Sequence, residues 1–336
     1  MNDFSQLGFE NSHYEHVLII REKAEIRTVA KYVGIAYLLC IMIPEIISYF
    51  ILDVADSYSS LSFITKIFTH PILSMIYQAV ISITIFTLPF LILPWRLSVS
   101  PGELLNFKRP KKDLLLPLIF IGLGLFAFAN IAANTISQIL LSFGLGIYSP
   151  SFSQSKNGAE FIITFFAVAI VPAFVEEFAF RGIVLGALKR FGDGFAILVS
   201  ALLFGLIHRN FAQIPFAFII GLVLAFAVIK TGSLWTGIII HFLNNALSLL
   251  LSTLFEVIGS ETIAILINTI YFIICFLLFF LGMSILSKEK KEFWGLNRME
   301  HKMTAKQRVL CFFSQPVVIL DFFLCLLTAA LLVVVV

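Results

Sequence analysis

Apolar residues occur along this chain in long blocks separated by short polar stretches. Nine blocks are candidates to cross a bilayer, at 28–52, 71–94, 114–143, 160–189, 195–208, 212–229, 234–255, 262–287 and 316–336. A spanning helix needs about 20 mostly apolar residues to cross roughly 30 Å of hydrocarbon. The fifth and sixth blocks are short and suit tilted, partial or deeply paired helices. The pattern predicts an all-α fold, a polytopic transmembrane helix bundle of about eight core spans plus an extra C-terminal span. Its parts are a polar tail (1–27), a membrane-embedded domain (28–287), a charged linker (288–315) and an accessory terminal helix (316–336). There is no internal repeat. The first 27 residues hold no short apolar region followed by a small-residue cleavage site, so no cleavable signal peptide is expected.

Composition agrees with that reading. The chain has 336 residues, 60% of them hydrophobic, with a mean hydropathy of +1.00 and 37 phenylalanines. Soluble domains are nearer 45–50% apolar. A net charge of +3 is too small to suggest a nucleic-acid partner. The four cysteines, Cys40, Cys275, Cys311 and Cys325, have no C-x-x-C or zinc-finger spacing and read as small buried hydrophobes.

Lysine and arginine report the topology instead. With the N-terminus in the cytoplasm and every block crossing, the cytoplasmic pieces hold 18 basic residues and the outer pieces hold 3. The positive-inside rule favours that orientation and puts the C-terminus outside. The basic loop at 108–112 reads as an anchor for anionic lipid heads.

Three polar motifs interrupt the apolar blocks. The first is Glu176-Glu177-x-x-x-Arg181, near the middle of the fourth block. Ionised groups there cost roughly 2.5–3.5 kcal/mol each on insertion scales, so they must pair, line a wet cavity or do chemistry. Glu177 and Arg181 are one helical turn apart with the acid on the favoured side, and can neutralise each other. Glu176 is turned about 100° away and is left unpaired. Pro172, four residues earlier, removes a backbone donor and can open the helix beside the acid. The second motif is Phe204-x-x-x-His208, and the third is His241-x-x-x-Asn245. Each sets its two residues on one helical face. Asn244 lies on a different face and is the weaker candidate.

Each motif alone has a structural reading: an ion pair that fastens helices, a capped interfacial histidine, polar glue between spans. Depth favours chemistry. Glu176 and His208 each lie about 20 Å along their helices from the expected inner ends, and His241 and Asn245 about 10 and 16 Å, at 1.5 Å per residue. A desolvated carboxylate can act as general base on water, with an imidazole holding the water or passing a proton on. A second imidazole and an amide N–H can donate to an oxyanion, worth about 2.7–4 kcal/mol per donor. That set suffices to hydrolyse an amide without a covalent intermediate. H-E-x-x-H and the G-x-S-G and G-x-G-D patterns of other intramembrane proteases are absent from the sequence.

The ordered set E-E-x-x-x-R, F-x-x-x-H, H-x-x-x-N, over about residues 160–255, resembles the CPBP family of intramembrane proteases. These are the CAAX-processing endopeptidases and their bacteriocin-processing or Abi-type relatives. The resemblance implies an all-helical bundle around a water-accessible cavity. In it, Glu176 and His208 would activate water, His241 and Asn245 would form the oxyanion hole, and Glu177, Arg181 and Phe204 would support them. Its implied partners are the lipid bilayer and a lipidated protein tail or apolar peptide.

Glu176, His208 and His241 also form a His₂Glu set, the ligand chemistry of catalytic zinc. Asn245 is a poor zinc ligand and a good oxyanion donor, which favours a metal-free glutamic endopeptidase with no required cofactor. The rival reading is a non-enzymatic member of the same fold, acting as a bacteriocin immunity or interaction factor. A transporter is disfavoured by the lack of an inverted repeat and of paired broken helices. Of the remaining intramembrane acids, Glu45 reads as a snorkelling or helix-break residue and Asp321 as reaching the inner interface.

Overall fold

The computed structural model describes residues 3–57, 70–147, 157–288, 293–296 and 302–335. Most of the expected loops 53–70 and 144–159, and part of the linker 288–315, lie outside the described residues. The chain is built from α1 (Asp3–Ser57), α2 (Pro71–Leu97), α3 (Lys112–Ser142), α4 (Gly158–Phe191) and α5 (Asp193–Leu206). These are followed by α6 (Gln213–Thr231), α7 (Leu234–Ile258), α8 (Glu261–Lys288), α9 (Ala305–Phe313) and α10 (Pro316–Leu331).

The all-α expectation holds, with one addition. Strands β1 (Leu145–Ile147) and β2 (Val333–Val335) form an antiparallel pair, Leu145 opposite Val335. The terminal valines thereby tie the end of the chain to the segment leaving α3.

Among the described residues, seven helices are long and apolar enough to cross a membrane: α1, α2, α3, α4, α6, α7 and α8. The α9–α10 pair, bent by 76°, makes an eighth if the two count as one span. The sixth block is therefore a full-length candidate of 19 residues, whereas the fifth is a 14-residue helix. At 1.5 Å per residue α5 is about 21 Å long, short of the hydrocarbon thickness. It is nonetheless among the most enclosed helices, with 11 of its residues buried. Small residues permit this. A Cβ on Gly221 of α6 would lie 2.9 Å from the Ala201 Cα, so the two backbones touch.

The polar tail is not separate from the first span: α1 runs unbroken for 55 residues. Its polar end meets the far linker. Glu22 accepts the backbone N–H groups of Lys302 and Met303 at 3.2 and 3.1 Å, and Lys302 Nζ reaches Glu15 at 3.0 Å. The tail and the linker therefore share one side of the bundle, and β1 and β2 share one end.

Two acids depart from expectation. Asp321 does not reach an interface. It is 1% exposed in the seam between α10 and α1, near Gly34, and neither carboxylate oxygen has a hydrogen-bond partner among the described residues. Glu45 is not merely snorkelling, because it pairs with Arg209 at 2.7 Å. The terminal helix also does not stand apart: α10 packs along α1 and reaches α5. All four cysteines are buried and unbridged.

Candidate active site

The site forms where α4, α5 and α7 meet. Helix α4 is not a regular α-helix there: residues Phe166–Ile170 and Phe178–Val184 are wound as π-turns on either side of Val171–Glu177. Such widened turns need outside partners for displaced carbonyls, and they recur at functional sites. Two are found here. Pro172 has no N–H to offer the Val168 carbonyl, and Asn245 Nδ2 donates to that oxygen at 3.4 Å. The Phe180 carbonyl accepts from Ser200 Oγ at 2.9 Å, which fastens α4 to α5.

The Glu177–Arg181 pair forms as the spacing predicts. Arg181 Nη1 donates to Glu177 Oε1 at 2.8 Å, with both side chains fully buried. Arg181 also lies over the Phe204 ring, 4.0 Å from its centroid, and its Nη2 reaches the Gly221 carbonyl at 3.4 Å. The same Glu177 oxygen takes His241 Nδ1 at 3.0 Å. A carboxylate accepts and the ring donates, so Nδ1 carries the proton and Nε2 faces the centre. There the nearest acid is Glu176, its Oε2 3.9 Å from Nε2. That gap exceeds hydrogen-bond range and leaves the carboxylate free for a third group.

Gly237, one turn before His241, makes this arrangement possible. A Cβ at 237 would lie 2.5 Å from Glu177 Oε2. The bare backbone of α7 is what lets the buried carboxylate fit between its partners.

His208 sits in the turn beyond α5, with Nδ1 2.9 Å from the Phe204 carbonyl. A carbonyl accepts, so this bond leaves Nε2 as the basic nitrogen. His208 makes no hydrogen bond to Glu176 or His241. What joins them is Phe204, whose ring meets His208 edge-on at 5.2 Å and His241 at 5.8 Å. Asn245 is half-buried, and its Oδ1 accepts from Asn244 Nδ2 at 3.2 Å. Asn244, set aside in the sequence as facing elsewhere, is thus the group that orients Asn245.

The structure therefore brings Glu176, Glu177, Arg181, Phe204 and His241 together, joins His208 to them through Phe204, and sets Asn245 one turn beyond His241 against the Val168 carbonyl of α4. Sequence reasoning missed Gly237, Ser200 and the Val168 carbonyl, and ranked Asn244 as the weaker candidate. Only Gly237 left a visible signal, the four-residue spacing Gly237, His241, Asn245. Glu176, His208 and His241 supply the His₂Glu chemistry that suits zinc. Among the described residues, no three His, Cys, Asp or Glu side chains are grouped to hold one ion.

Comparison with known proteins finds similarity over the stretch of chain that holds this centre. Residues 158–247 match the family model described as type II CAAX prenyl endopeptidase, Rce1-like. The chain is 33% identical over 156 residues to the membrane-embedded CAAX protease MroQ of Staphylococcus aureus, covering 44% of this chain and 62% of that protein. It is 25% identical over 150 residues to the putative membrane peptidase YdiL of Bacillus subtilis, covering 44% of this chain and 61% of that protein. The chain thus spans about three-fifths of the length of these curated relatives. No solved structure matches. The matched stretch begins with α4 and ends just past Asn245, so it contains all three motifs, and over residues 158–247 the chain is similar to the Rce1-like type II CAAX prenyl endopeptidases.

Proposed function

We propose that this protein is an intramembrane endopeptidase that hydrolyses a peptide bond of a membrane-associated or lipidated peptide by direct attack of water. The observation that carries the reading is the two-sided use of His241. Glu177, anchored by Arg181, holds one ring nitrogen, and the other is turned toward the Glu176 carboxylate, 3.9 Å away.

In this reading Glu176, assisted by His208 Nε2, removes a proton from water as its oxygen attacks the carbonyl carbon. The carbonyl π-electrons move to oxygen. The resulting oxyanion takes hydrogen bonds from the Asn245 amide and from His241 Nε2, the ring being protonated at both nitrogens with its Nδ1–H held by Glu177. When the C–N bond breaks, the proton held by Glu176 passes to the leaving nitrogen, giving an amine and a carboxylic acid, whose remaining proton is then lost to the amine or to water. Glu177, Arg181 and Phe204 do not meet the substrate; they fix His241 and His208. The grouping of these donors supports a route without a metal ion, and no step requires one.

The relatives named as a CAAX protease and a membrane peptidase support the reaction class. The basic-residue distribution supports a cytoplasmic N-terminus. The contact between the N-terminal part of α1 and the linker, and the β1–β2 pair, each join segments that this topology places on the same side.

The test is Glu176→Gln, which keeps the shape and removes the base. Membrane peptides compared by mass spectrometry should lose a defined set of cleavage products, with insertion and abundance of the variant unchanged. Full survival of those products would end the enzyme reading and leave the immunity or interaction role.

A further inference from the structure

The family match covers residues 158–247 and so leaves out α1 and the C-terminal helices. Yet α1 touches the His208 turn at two points. Tyr37, 1% exposed, donates its hydroxyl to the Leu203 carbonyl at 2.9 Å. That carbonyl also accepts the Ile207 N–H at 3.1 Å, the backbone bond that closes the turn delivering His208. Eight residues on, about 12 Å along the same helix, Glu45 holds Arg209 at 2.7 Å. Arg209 directly follows His208 and has a left-handed backbone, φ 49°, which a non-glycine residue adopts at a cost.

Tyr37 is itself held in place. Its ring meets Phe180 edge-on at 6.4 Å, and Phe180 meets Phe204 at 5.3 Å. Its oxygen lies 3.7 Å from Cys325 Sγ on α10. At Gly34, one turn earlier, α10 comes so close that a Cβ would lie 2.6 Å from a Val317 methyl. The terminal helix thus backs the face of α1 that carries Tyr37.

We infer that Tyr37 and Glu45 are positioning residues for His208, gripping its turn at Leu203 and at Arg209, and that α10 is the brace behind Tyr37. His208 and Arg209 lie past the last helical residue of α5, Leu206, and are tied to it by turn bonds, His208 N–H to the Gly205 carbonyl at 3.3 Å and Arg209 N–H to that of Leu206 at 3.0 Å, to which α1 adds side-chain contacts. The inference deepens the proposed hydrolase reading, because it assigns residues that set one of the two water-activating groups.

The experiment uses full-length protein in detergent and diethyl pyrocarbonate as a histidine probe, with modification of each histidine followed by peptide mass spectrometry. Tyr37→Phe and Glu45→Gln should each raise the modification rate of His208 about three-fold or more, with His241 unchanged and the thermal midpoint within a few degrees. The swap Glu45→Arg with Arg209→Glu should bring the His208 rate back. Glu45 is exposed enough that Glu45→Gln leaves the fold intact even if Tyr37→Phe does not. In parallel, Tyr37→Phe should slow release of Glu176-dependent peptides about tenfold in wild type and have little further effect in His208→Ala. An unchanged His208 modification rate in folded Glu45→Gln, or equal slowing by Tyr37→Phe with and without His208, overturns the inference. Loss of the hydrolase reading would show separately, as peptide release that survives Glu176→Gln, while the histidine probe still decides the positioning role.

Discussion

Glu177 and His241 are 64 residues apart in the chain and 3.0 Å apart in space. One carboxylate oxygen holds both the Arg181 guanidinium and the His241 imidazole, while its other oxygen lies against the bare backbone at Gly237 and bonds to nothing among the described residues. The ion pair predicted as a local i,i+4 contact is therefore a joint between two helices.

Breaking that joint should cost stability first. Removing one partner of a buried pair leaves an uncompensated charge and costs about 3–5 kcal/mol. Arg181→Met and Glu177→Ala should each lower the thermal midpoint in detergent sharply. Arg181→Lys should also be poorly tolerated, because an ammonium cannot lie flat over Phe204 while reaching Glu177 and the Gly221 carbonyl. Melting curves of purified variants check this, and wild-type stability for Arg181→Lys would contradict it.

Gly237→Ala adds one methyl group where 2.5 Å is available. The carboxylate opposite is held by two partners and has little freedom to retreat. Overpacking of this kind costs about 1–3 kcal/mol. We expect folded protein with at least tenfold lower turnover, since His241 loses its register. Kinetics of Glu176-dependent peptide release would detect the change.

Asn245 and Asn244 should separate by size of effect. Removing an oxyanion donor costs about 10²–10³ in kcat. Asn245→Ala should fall in that range. Asn244→Ala removes only the group bonded to Asn245 Oδ1 and should cost about tenfold, because a single neutral hydrogen bond contributes about 0.5–1.5 kcal/mol. Equal effects would assign Asn244 a direct role.

Metal dependence follows from the grouping of the donors. Protein treated with a strong chelator and desalted should retain its activity, with less than one transition-metal ion per ten chains by elemental analysis. Loss of activity restored by added zinc would require the His₂Glu set to close around an ion.

Asp321 should be dispensable for folding. Its carboxyl group is buried without a hydrogen-bond partner, and burial of such a group is costly. Asp321→Asn should melt at the same temperature or higher, as read by thermal shift in detergent.

The membrane class, the helical architecture, most of the spans and the three motifs were legible in the chain itself. Bilayer physics makes them so: apolar length and mid-span charge have few meanings in hydrocarbon. The Glu177–Arg181 pair was legible too, because one helical turn fixes it. The tertiary structure decided what depends on contacts between distant segments. It placed His241 on Glu177, set Asn244 behind Asn245, and gave the Val168 carbonyl a side-chain donor where Pro172 offers none. It also turned Glu45 from a lone acid into the partner of Arg209. A sequence lists polar groups but does not say which helix faces which, and a buried hydrogen bond exists only once two faces have met.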